Sequence, residues 1–304
     1  MSSHPTTKTI TIPSDASTLP MTLPRLMDQY RRGEKLVMVT AYDYPSARAA
    51  EAAGVDLVLV GDSGAMTVLG YDSTVPVSLD ELMTLAKAVR RGLRSPFLVC
   101  DLPFGSYEVS DQQAVETAMR FAKEAGADAV KLEGCGEMAV ARAKAIVQAG
   151  IPVMGHVGLT PQTATALGGY RAQAKDAGAA LTLVAGAEAL EAVGCFSVVL
   201  EAIPSVVAEA VVERLDIPTI GIGAGPSTSG QVLVFHDLLG IREGRGGKFV
   251  QRYADLQDAM DAGVRAYATD VRAKAYPGPE HEYAMDAHEV AVLQSALAEL
   301  PAKL

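Results

Sequence analysis

Apolar residues along this chain gather in short continuous runs, and nearly every run ends in a polar or flexible residue. The run VDLVLVGDS (55–63) is typical, because β-branched residues lead to a carboxylate and Gly64 then interrupts the pattern. A strand buried on both faces reads as such a continuous run. Eight runs of this kind are candidate strands: LVMVTAYD (36–43), VDLVLVGDS (55–63), PFLVCD (96–101), ADAVKLE (127–133), IPVMGH (151–156), FSVVLE (196–201), IPTIGIGAG (217–225) and QVLVFHD (231–237).

Segments with helix-type apolar spacing separate most of these runs. Strands that alternate with helices indicate parallel pairing through right-handed crossovers, and eight such units predict a closed (β/α)8 barrel, the TIM-barrel architecture. An open doubly wound sheet is the competing α/β fold. It is less favoured because no strand-to-helix turn carries the dinucleotide fingerprint, and Pro226 follows Gly225 where a further spaced glycine would be needed.

The chain is expected to form a single barrel domain over residues 23–283, with a disordered N-terminal tail (1–22) and a C-terminal helical extension (284–304). Ser78 and Ser110 have capping-box spacing to Glu81 and Gln113, so helices should begin at both serines. Only PSTSG (226–230) separates the last two runs, which leaves room for no more than one helical turn.

One connection is unusually long. SGAMTVLGYDSTVP (63–76) follows the second candidate strand and contains no obvious helix. A loop of this length in a compact domain is commonly functional.

Charge and cysteine content narrow the function classes. A formal net charge of −10 and a pI near 5.0 argue against nucleic acid or an anionic membrane surface as partner. Cys100, Cys135 and Cys195 are an odd number without metal-type spacing, so neither a disulfide framework nor a zinc cluster is expected. No secretory signal or membrane-spanning run is recognised, and we expect a cytoplasmic protein.

Three carboxylates end different candidate strands, and in a barrel such ends meet at one mouth. Asp62, Asp101 and Glu133 would repel each other there unless a cation lay between them, and an all-oxygen ligand set favours Mg²⁺. His156 would make the site softer and invite zinc, but with one histidine nearby it is interpreted as a hydrogen-bonding neighbour. Taken singly, each acid has a structural explanation as a cap or an ion-pair partner.

Two further residues are candidates for chemistry. Lys131 and Glu133 point to the same side of their strand, and the alternative to a functional role is a buried ion pair between them. Glu201 ends the sixth run before apolar residues, a setting that suits proton transfer. A strand-end cap explains Glu201 equally well on its own.

The ordered motifs resemble the ketopantoate hydroxymethyltransferase family over about residues 23–283. The resemblance is carried by VTAYDYPSA (39–47), VGDS (60–63), MTVLGYDSTVPV (66–77), DLPF (101–104), VKLEG (130–134), GHVGLTPQ (155–162), GGYR (168–171), LEAIP (200–204), GIGAG (221–225) and HDLLGI (236–241). It implies a (β/α)8 enzyme of pantothenate and coenzyme A biosynthesis. Such an enzyme transfers a one-carbon unit from 5,10-methylenetetrahydrofolate to 3-methyl-2-oxobutanoate, giving 2-dehydropantoate through a Mg²⁺-stabilised enolate.

The resemblance also implies roles for individual residues. The metal-associated acids fall on Asp62, Asp101 and Glu133, and the general base falls on Glu201. The contacts to the 2-oxo acid fall on Asp62, Ser63, Asp101 and Lys131. A homo-oligomer, usually a decamer, is implied as well. The SGAMT segment and Tyr71 depart from the family pattern, which affects the expected loop geometry.

Two other functions are compatible with the same residues. A Mg²⁺-dependent lyase or aldolase acting on another 2-oxo acid would share the metal and the enolate chemistry. A non-catalytic barrel that binds a small molecule is the alternative from a different class. The complete set of acids, lysine and base argues for an enzyme.

Overall fold

The computed structural model describes residues 19–242 and 246–301. The chain divides into two compact units, one ending at Ala254 and the other beginning at Asp255. The sequence-based domain boundaries, at residues 1–22, 23–283 and 284–304, remain a prediction. Most of the expected N-terminal tail lies outside the described residues. Within its last part, the backbone N–H of Met21 donates to the carbonyl of Ser95 at 2.7 Å.

The first unit contains eight strands that close into a parallel barrel in sequence order, which confirms the predicted fold. Each strand pairs with the next, and β1 and β8 complete the ring through Leu36 opposite Gly230. The strands are β1 (Leu36–Thr40), β2 (Leu57–Val60), β3 (Phe97–Asp101), β4 (Ala129–Lys131), β5 (Val153–Gly158), β6 (Ser197–Glu201), β7 (Thr219–Ile222) and β8 (Gly230–Leu233).

Helices connect most of the strands. In the first unit they are α1 (Leu23–Arg31), α2 (Tyr44–Ala53), α3 (Gly64–Thr67), α4 (Leu79–Gly92), α5 (Asp111–Arg120), α6 (Glu137–Gln148), α7 (Ala177–Ala192), α8 (Ser205–Val212) and α9 (Phe235–Leu239). Ser78 and Glu81 form a reciprocal capping box, and Ser110 accepts from the N–H of Gln113, so both predicted helix starts are confirmed. Within the described ranges, no helix combines the length and apolarity needed to cross a membrane.

Two apolar layers hold the barrel together. Alternate strand residues fill the lumen, as with Leu57, Leu59 and Val99, and Leu26 of α1 packs against this inner cluster from a fully buried position. The residues between them, such as Val58, face the surrounding helices. The period of two along each strand therefore decides which side chains face inward.

Two details differ from the sequence-based expectation. The connection 63–76 contains the one-turn helix α3, so it is not free of helix. His236 and Asp237 belong to α9 and do not end a strand, because β8 stops at Leu233. The expected absence of a full helix between β7 and β8 is confirmed for the described residues.

The backbone is constrained where β5 and β6 end. Gly158 lies opposite Glu201 with φ of 101°, and a Cβ at Gly158 would lie 2.2 Å from the Glu201 carbonyl oxygen. Ala202, the residue after Glu201, has φ of 49° and occupies the left-handed region that non-glycine residues rarely adopt. The N–H of Leu159 donates to the Glu201 carbonyl at 2.9 Å, which explains the close approach.

The second unit is helical. It comprises α10 (Leu256–Arg272), a 3₁₀ turn (Pro279–His281) and α11 (Ala287–Ala298). The rings of Tyr267 and Tyr276 lie 5.6 Å apart in an edge-to-face arrangement. The helix α11 lies within residues 284–304, the segment expected to be helical.

We predict that Gly158→Ala destabilises the protein more than Gly150→Ala does. Both glycines have positive φ, 101° and 88°, but a Cβ at Gly150 meets nothing within 4 Å. The added clash should lower the free energy of unfolding by about 1–3 kcal/mol beyond the control. Urea unfolding followed by circular dichroism measures both variants. Equal losses would show that the approach to Glu201 is not sterically tight.

Candidate active site

Alternation along the strands brings polar side chains to the mouth of the lumen. Asp101 lies two residues beyond Val99, an inward-facing residue, and therefore also points inward. The same relation places the polar residues of three other strands above an apolar lumen residue: Lys131 after Ala129, His156 after Met154 and Glu201 after Val199. The C-terminal strand ends thus collect the side chains that sequence analysis selected.

The acids of β2 and β3 meet directly. The backbone N–H of Asp62 donates to Oδ2 of Asp101 at 2.9 Å, and both side chains are buried. Gly61 makes the approach possible, since a Cβ there would lie 2.8 Å from Oγ of Ser63 and 3.5 Å from Oδ2 of Asp101. Oγ of Ser63 also lies 2.8 Å from the hydroxyl of the buried Tyr42.

Lys131 supplies a buried positive charge. Its Nζ lies 2.9 Å from Oδ1 of Asp101 and 3.2 Å from Nδ1 of His156. Burial alone would lower the pKa of Lys131, but the charges of Asp101, Glu133 and Asp62 outweigh burial and raise it. The ion pair weighed from sequence, Lys131 with Glu133, is not the one observed. Register explains this, because Asp101 lies opposite Lys131 on the neighbouring strand.

His156 lies between two glutamates. Its Nδ1 is 3.4 Å from Oε1 of Glu133, and its Nε2 is 3.1 Å from Oε2 of Glu201. The second contact is at ion-pair distance, although its angle does not complete a hydrogen bond. Burial and the charge of Lys131 lower the pKa of His156, whereas the contacts with both glutamates raise it, and the net value is about 9. The structure therefore supports the interpretation of His156 as a polar neighbour of the acids.

Acidic side chains outnumber cationic side chains at this mouth. Four carboxylates face two cations: Asp62, Asp101, Glu133 and Glu201 against Lys131 and His156. Burial, followed by the charges of Glu133 and Asp101, raises the pKa of Asp62 to about 8. Burial also raises the pKa of Asp101, despite the opposing charge of Lys131. The protein's own cations are thus insufficient to balance the acids.

The donor set fits a hard divalent cation. Nζ of Lys131 approaches Oδ1 of Asp101 at 2.9 Å, whereas no cationic side chain of the described chain lies at ion-pair distance from the neighbouring Asp62, whose pKa is raised to about 8 by burial and by the charges of Glu133 and Asp101. Among residues 19–242 and 246–301, no group of three or more His, Cys, Asp or Glu side chains is arranged to hold a metal ion by itself. Mg²⁺ commonly binds one or two carboxylates and completes its shell with water and substrate oxygens. Two aspartates are therefore enough for such an ion.

Glu201 differs from the other acids in its accessibility. Its side chain is 17% exposed, whereas those of Asp101 and Glu133 are 4% and 2% exposed. The backbone of Glu201 is held by neighbours on both sides, with Ala202 N–H donating to the Ile222 carbonyl at 2.8 Å. A carboxylate that is both fixed and accessible is suited to accept a proton from a bound molecule.

Two loops meet above the acids. The hydroxyl of Tyr170 lies 3.7 Å from Sδ of Met66, which joins the connection after β2 to the loop after β5. Burial and then the charges of Asp62, Glu133 and Glu201 raise the pKa of Tyr170. The long connection 63–76 therefore borders the site.

Sequence reasoning missed Gln162 and Tyr107. Both are buried, and both make hydrogen bonds to the acids of the site or to their backbone. Neither residue is charged, so neither attracted attention as a strand-end group. The available signal was the position of Gln162 next to Pro161 within GHVGLTPQ, shortly after His156.

Comparison with known proteins identifies similar chains. The sequence model described as ketopantoate hydroxymethyltransferase matches residues 20–279. The mitochondrial 3-methyl-2-oxobutanoate hydroxymethyltransferase 1 of Arabidopsis thaliana is 50% identical over 276 residues, covering 89% of this chain and 80% of the relative. The 3-methyl-2-oxobutanoate hydroxymethyltransferase of Heliobacterium modesticaldum is 50% identical over 266 residues, covering 88% and 96%.

A solved structure shows the same fold at low sequence identity. 2,3-Dimethylmalate lyase, described as a member of the PEP mutase/isocitrate lyase superfamily, aligns with a TM-score of 0.56 and 17% identity. The alignment covers 90% of this chain and 98% of the lyase. At this identity the likeness concerns the barrel fold alone.

We predict that Lys131→Met destabilises the protein strongly, because it leaves buried carboxylates without their cation. The loss in free energy of unfolding should be about 3–5 kcal/mol, measured by urea denaturation without added divalent cation. Lys87→Met is the matched control, since Lys87 also lies 2.9 Å from a carboxylate, that of Glu124, but both side chains are exposed. A small loss for Lys131→Met, equal to that of the control, would contradict the electrostatic role.

Proposed function

The chain belongs to the ketopantoate hydroxymethyltransferase family, and we propose that it converts 3-methyl-2-oxobutanoate to 2-dehydropantoate with 5,10-methylenetetrahydrofolate as the one-carbon donor. The observation that carries this proposal is the convergence of Asp62, Asp101, Lys131 and Glu201 at one barrel mouth. Identity of about 50% to relatives named for this activity supports it. The product would serve pantothenate and coenzyme A biosynthesis.

Substrate anchoring falls to the buried cation and the neighbouring polar groups. The 2-oxo acid carries a carboxylate, and Lys131 provides a fixed positive charge against it, held by Asp101. Ser63, the residue after Asp62, adds a hydroxyl that lies 2.8 Å from the hydroxyl of Tyr42. Because four carboxylates surround Lys131 and His156, an anion enters this mouth favourably only after further positive charge has been supplied.

Mg²⁺ is the proposed source of that charge. Asp62 and Asp101 would hold it, and Glu133 would add a third negative charge nearby. The direct contact between the two aspartates, and the pKa of Asp62 raised by burial and by the charges of Glu133 and Asp101, support this assignment. When bound, Mg²⁺ would supply Lewis-acid stabilisation of negative charge on the ketone side of the substrate.

Glu201 is the proposed general base. It would take the proton from the carbon next to the ketone, and that carbon would then form the new bond to the one-carbon unit of the folate. Water would supply the hydroxyl group, and both bonds from the transferred carbon to the folate nitrogens would break, releasing tetrahydrofolate. His156 faces Oε2 of Glu201 at 3.1 Å and orients the carboxylate, while its other nitrogen lies against Glu133. The partial exposure of Glu201 leaves this acid accessible to a substrate at the mouth.

Assembly and location complete the proposal. We propose a homo-oligomer, with the decamer that the family resemblance implies, and a reducing compartment such as the cytoplasm. Three free cysteines, Cys100, Cys135 and Cys195, support a reducing environment. Cys100 and Cys195 are buried, and burial raises the pKa of both thiols, which disfavours reactive thiolates.

The proposed activity is tested by incubating the purified protein with 3-methyl-2-oxobutanoate and 5,10-methylenetetrahydrofolate and following 2-dehydropantoate. We expect turnover with Mg²⁺, no turnover after EDTA treatment, and recovery when Mg²⁺ is returned, because buried acids without a cation repel the substrate. Circular dichroism after chelation checks that the fold persists. Full turnover in metal-free protein would disprove the metal requirement, and its absence in every condition would disprove the activity.

The role of Glu201 is tested by Glu201→Gln, which keeps size and shape but removes basicity. Turnover should fall by about 10²–10⁴-fold while substrate binding survives. Hydrogen exchange of the substrate C–H with deuterated water, run without folate, isolates the proton-transfer step. Glu209→Gln, on the exposed side of α8, is the matched control. Wild-type exchange in Glu201→Gln would remove this residue from the mechanism.

A further inference from the structure

Gln162 has no part in the chemistry described above, although it lies at the centre of the site. It is 5% exposed and belongs to the 3₁₀ turn Pro161–Thr163 that follows β5. Sequence motifs marked the turn but assigned this residue no task. A buried amide beside acidic residues requires hydrogen-bond partners for each of its polar atoms.

The side chain of Gln162 is satisfied by three residues from two segments. Its Nε2 donates to Oδ2 of Asp62 at 3.0 Å and to the carbonyl of Leu102 at 2.9 Å. Its Oε1 accepts from the hydroxyl of Tyr107 at 2.6 Å. The amide orientation follows from these partners, because a flipped amide would place its oxygen against a carboxylate and a carbonyl.

The backbone of Gln162 reaches a second acid. Its N–H donates to Oε2 of Glu133 at 3.0 Å, so one residue holds an oxygen of Glu133 and an oxygen of Asp62. Tyr107 reinforces this link, since its hydroxyl accepts from the backbone N–H of Glu133 at 3.3 Å. Nε of Arg142 in turn donates to the carbonyl of Tyr107 at 3.0 Å.

We propose that Gln162, braced by Tyr107, is a positioning residue that fixes Asp62 and Glu133 so that Oδ1 of Asp62 is presented to the divalent cation. The inference rests on the proposed function for the identity of that cation. A carboxylate on a short side chain can rotate, and an N–H bound to one oxygen selects one orientation. Groups that orient metal ligands in this way typically contribute 10–100-fold to metal affinity.

The chemistry of an amide suits this position. A lysine at 162 would neutralise Asp62 and reduce the attraction for a divalent cation. A glutamate would bring a further carboxylate against Asp62 and the Leu102 carbonyl, with no N–H to offer them. The neutral amide of Gln162 orients the Asp62 carboxylate without neutralising it, so its negative charge remains available to attract the cation.

The test compares Gln162→Leu with Gln112→Leu, because Gln112 is an exposed glutamine whose amide donates to Glu116. Mn²⁺ affinity, measured by electron paramagnetic resonance, should weaken about 10–100-fold in Gln162→Leu and stay unchanged in the control. The turnover of Gln162→Leu should approach that of the wild type as the Mn²⁺ concentration is raised. Thermal unfolding of each metal-free variant separates loss of orientation from loss of folding.

Two more variants keep the inference falsifiable if Gln162→Leu does not fold. Gln162→Asn retains the amide but shortens it, and should weaken Mn²⁺ binding as well. Tyr107→Phe removes the hydroxyl that donates to Gln162. The loss of Mn²⁺ affinity in the double variant with Gln162→Asn should be smaller than the product of the two single losses, since both residues act on the same carboxylates.

The outcomes distinguish this inference from the proposed function. Wild-type protein that forms 2-dehydropantoate, together with folded position-162 variants that bind Mn²⁺ as tightly as wild type, overturns the inference and leaves the function intact. Wild-type protein that binds Mn²⁺ but forms no product overturns the function, and weakened Mn²⁺ binding in the variants then still supports the role of Gln162.

Discussion

A carboxylate enclosed in a barrel lumen stays ionised only when a cation or an N–H group faces it, and the mouth of this barrel is organised around that requirement. Lys131 forms an ion pair with Asp101, and His156 lies at ion-pair distance from two glutamates. Backbone N–H groups donate to oxygens of Asp101 and Glu133. Asp62 has the neutral amide of Gln162 as its side-chain donor, and burial together with the charges of Glu133 and Asp101 raises its pKa to about 8. The acid that lacks a cationic partner among the residues described therefore lies where a bound cation would favour the binding of an anionic substrate.

The fold was readable from the sequence because parallel strands buried on both faces leave continuous apolar runs, and all eight appeared. The strand-end rule likewise brought Asp101, Lys131 and Glu201 together. The pairing within the site was less predictable. Lys131 bonds Asp101 and not Glu133 because of the register between neighbouring strands, and the spacing within one strand contains no information about register.

Gln162 escaped prediction for a related reason. An uncharged side chain shows its importance only through its partners, and these come from segments sixty and one hundred positions away in the chain. Backbone geometry around Glu201 was equally hidden. Gly158 and the left-handed Ala202 fix that acid through main-chain contacts, so the accessible carboxylate is held by the strand ends more than by its own side-chain bonds.

The way the ring closes has a consequence for synthesis on the ribosome. The first and last strands, β1 and β8, complete the barrel by pairing with each other, and they come from opposite ends of the unit. Until β8 has emerged, the nascent sheet has two unpaired edges, with N–H and C=O groups open to other chains. The site residues, all carried by β2 to β6 and the connections after them, are synthesised before closure. Aggregation during translation is therefore a greater hazard for this protein than for one built from local hairpins.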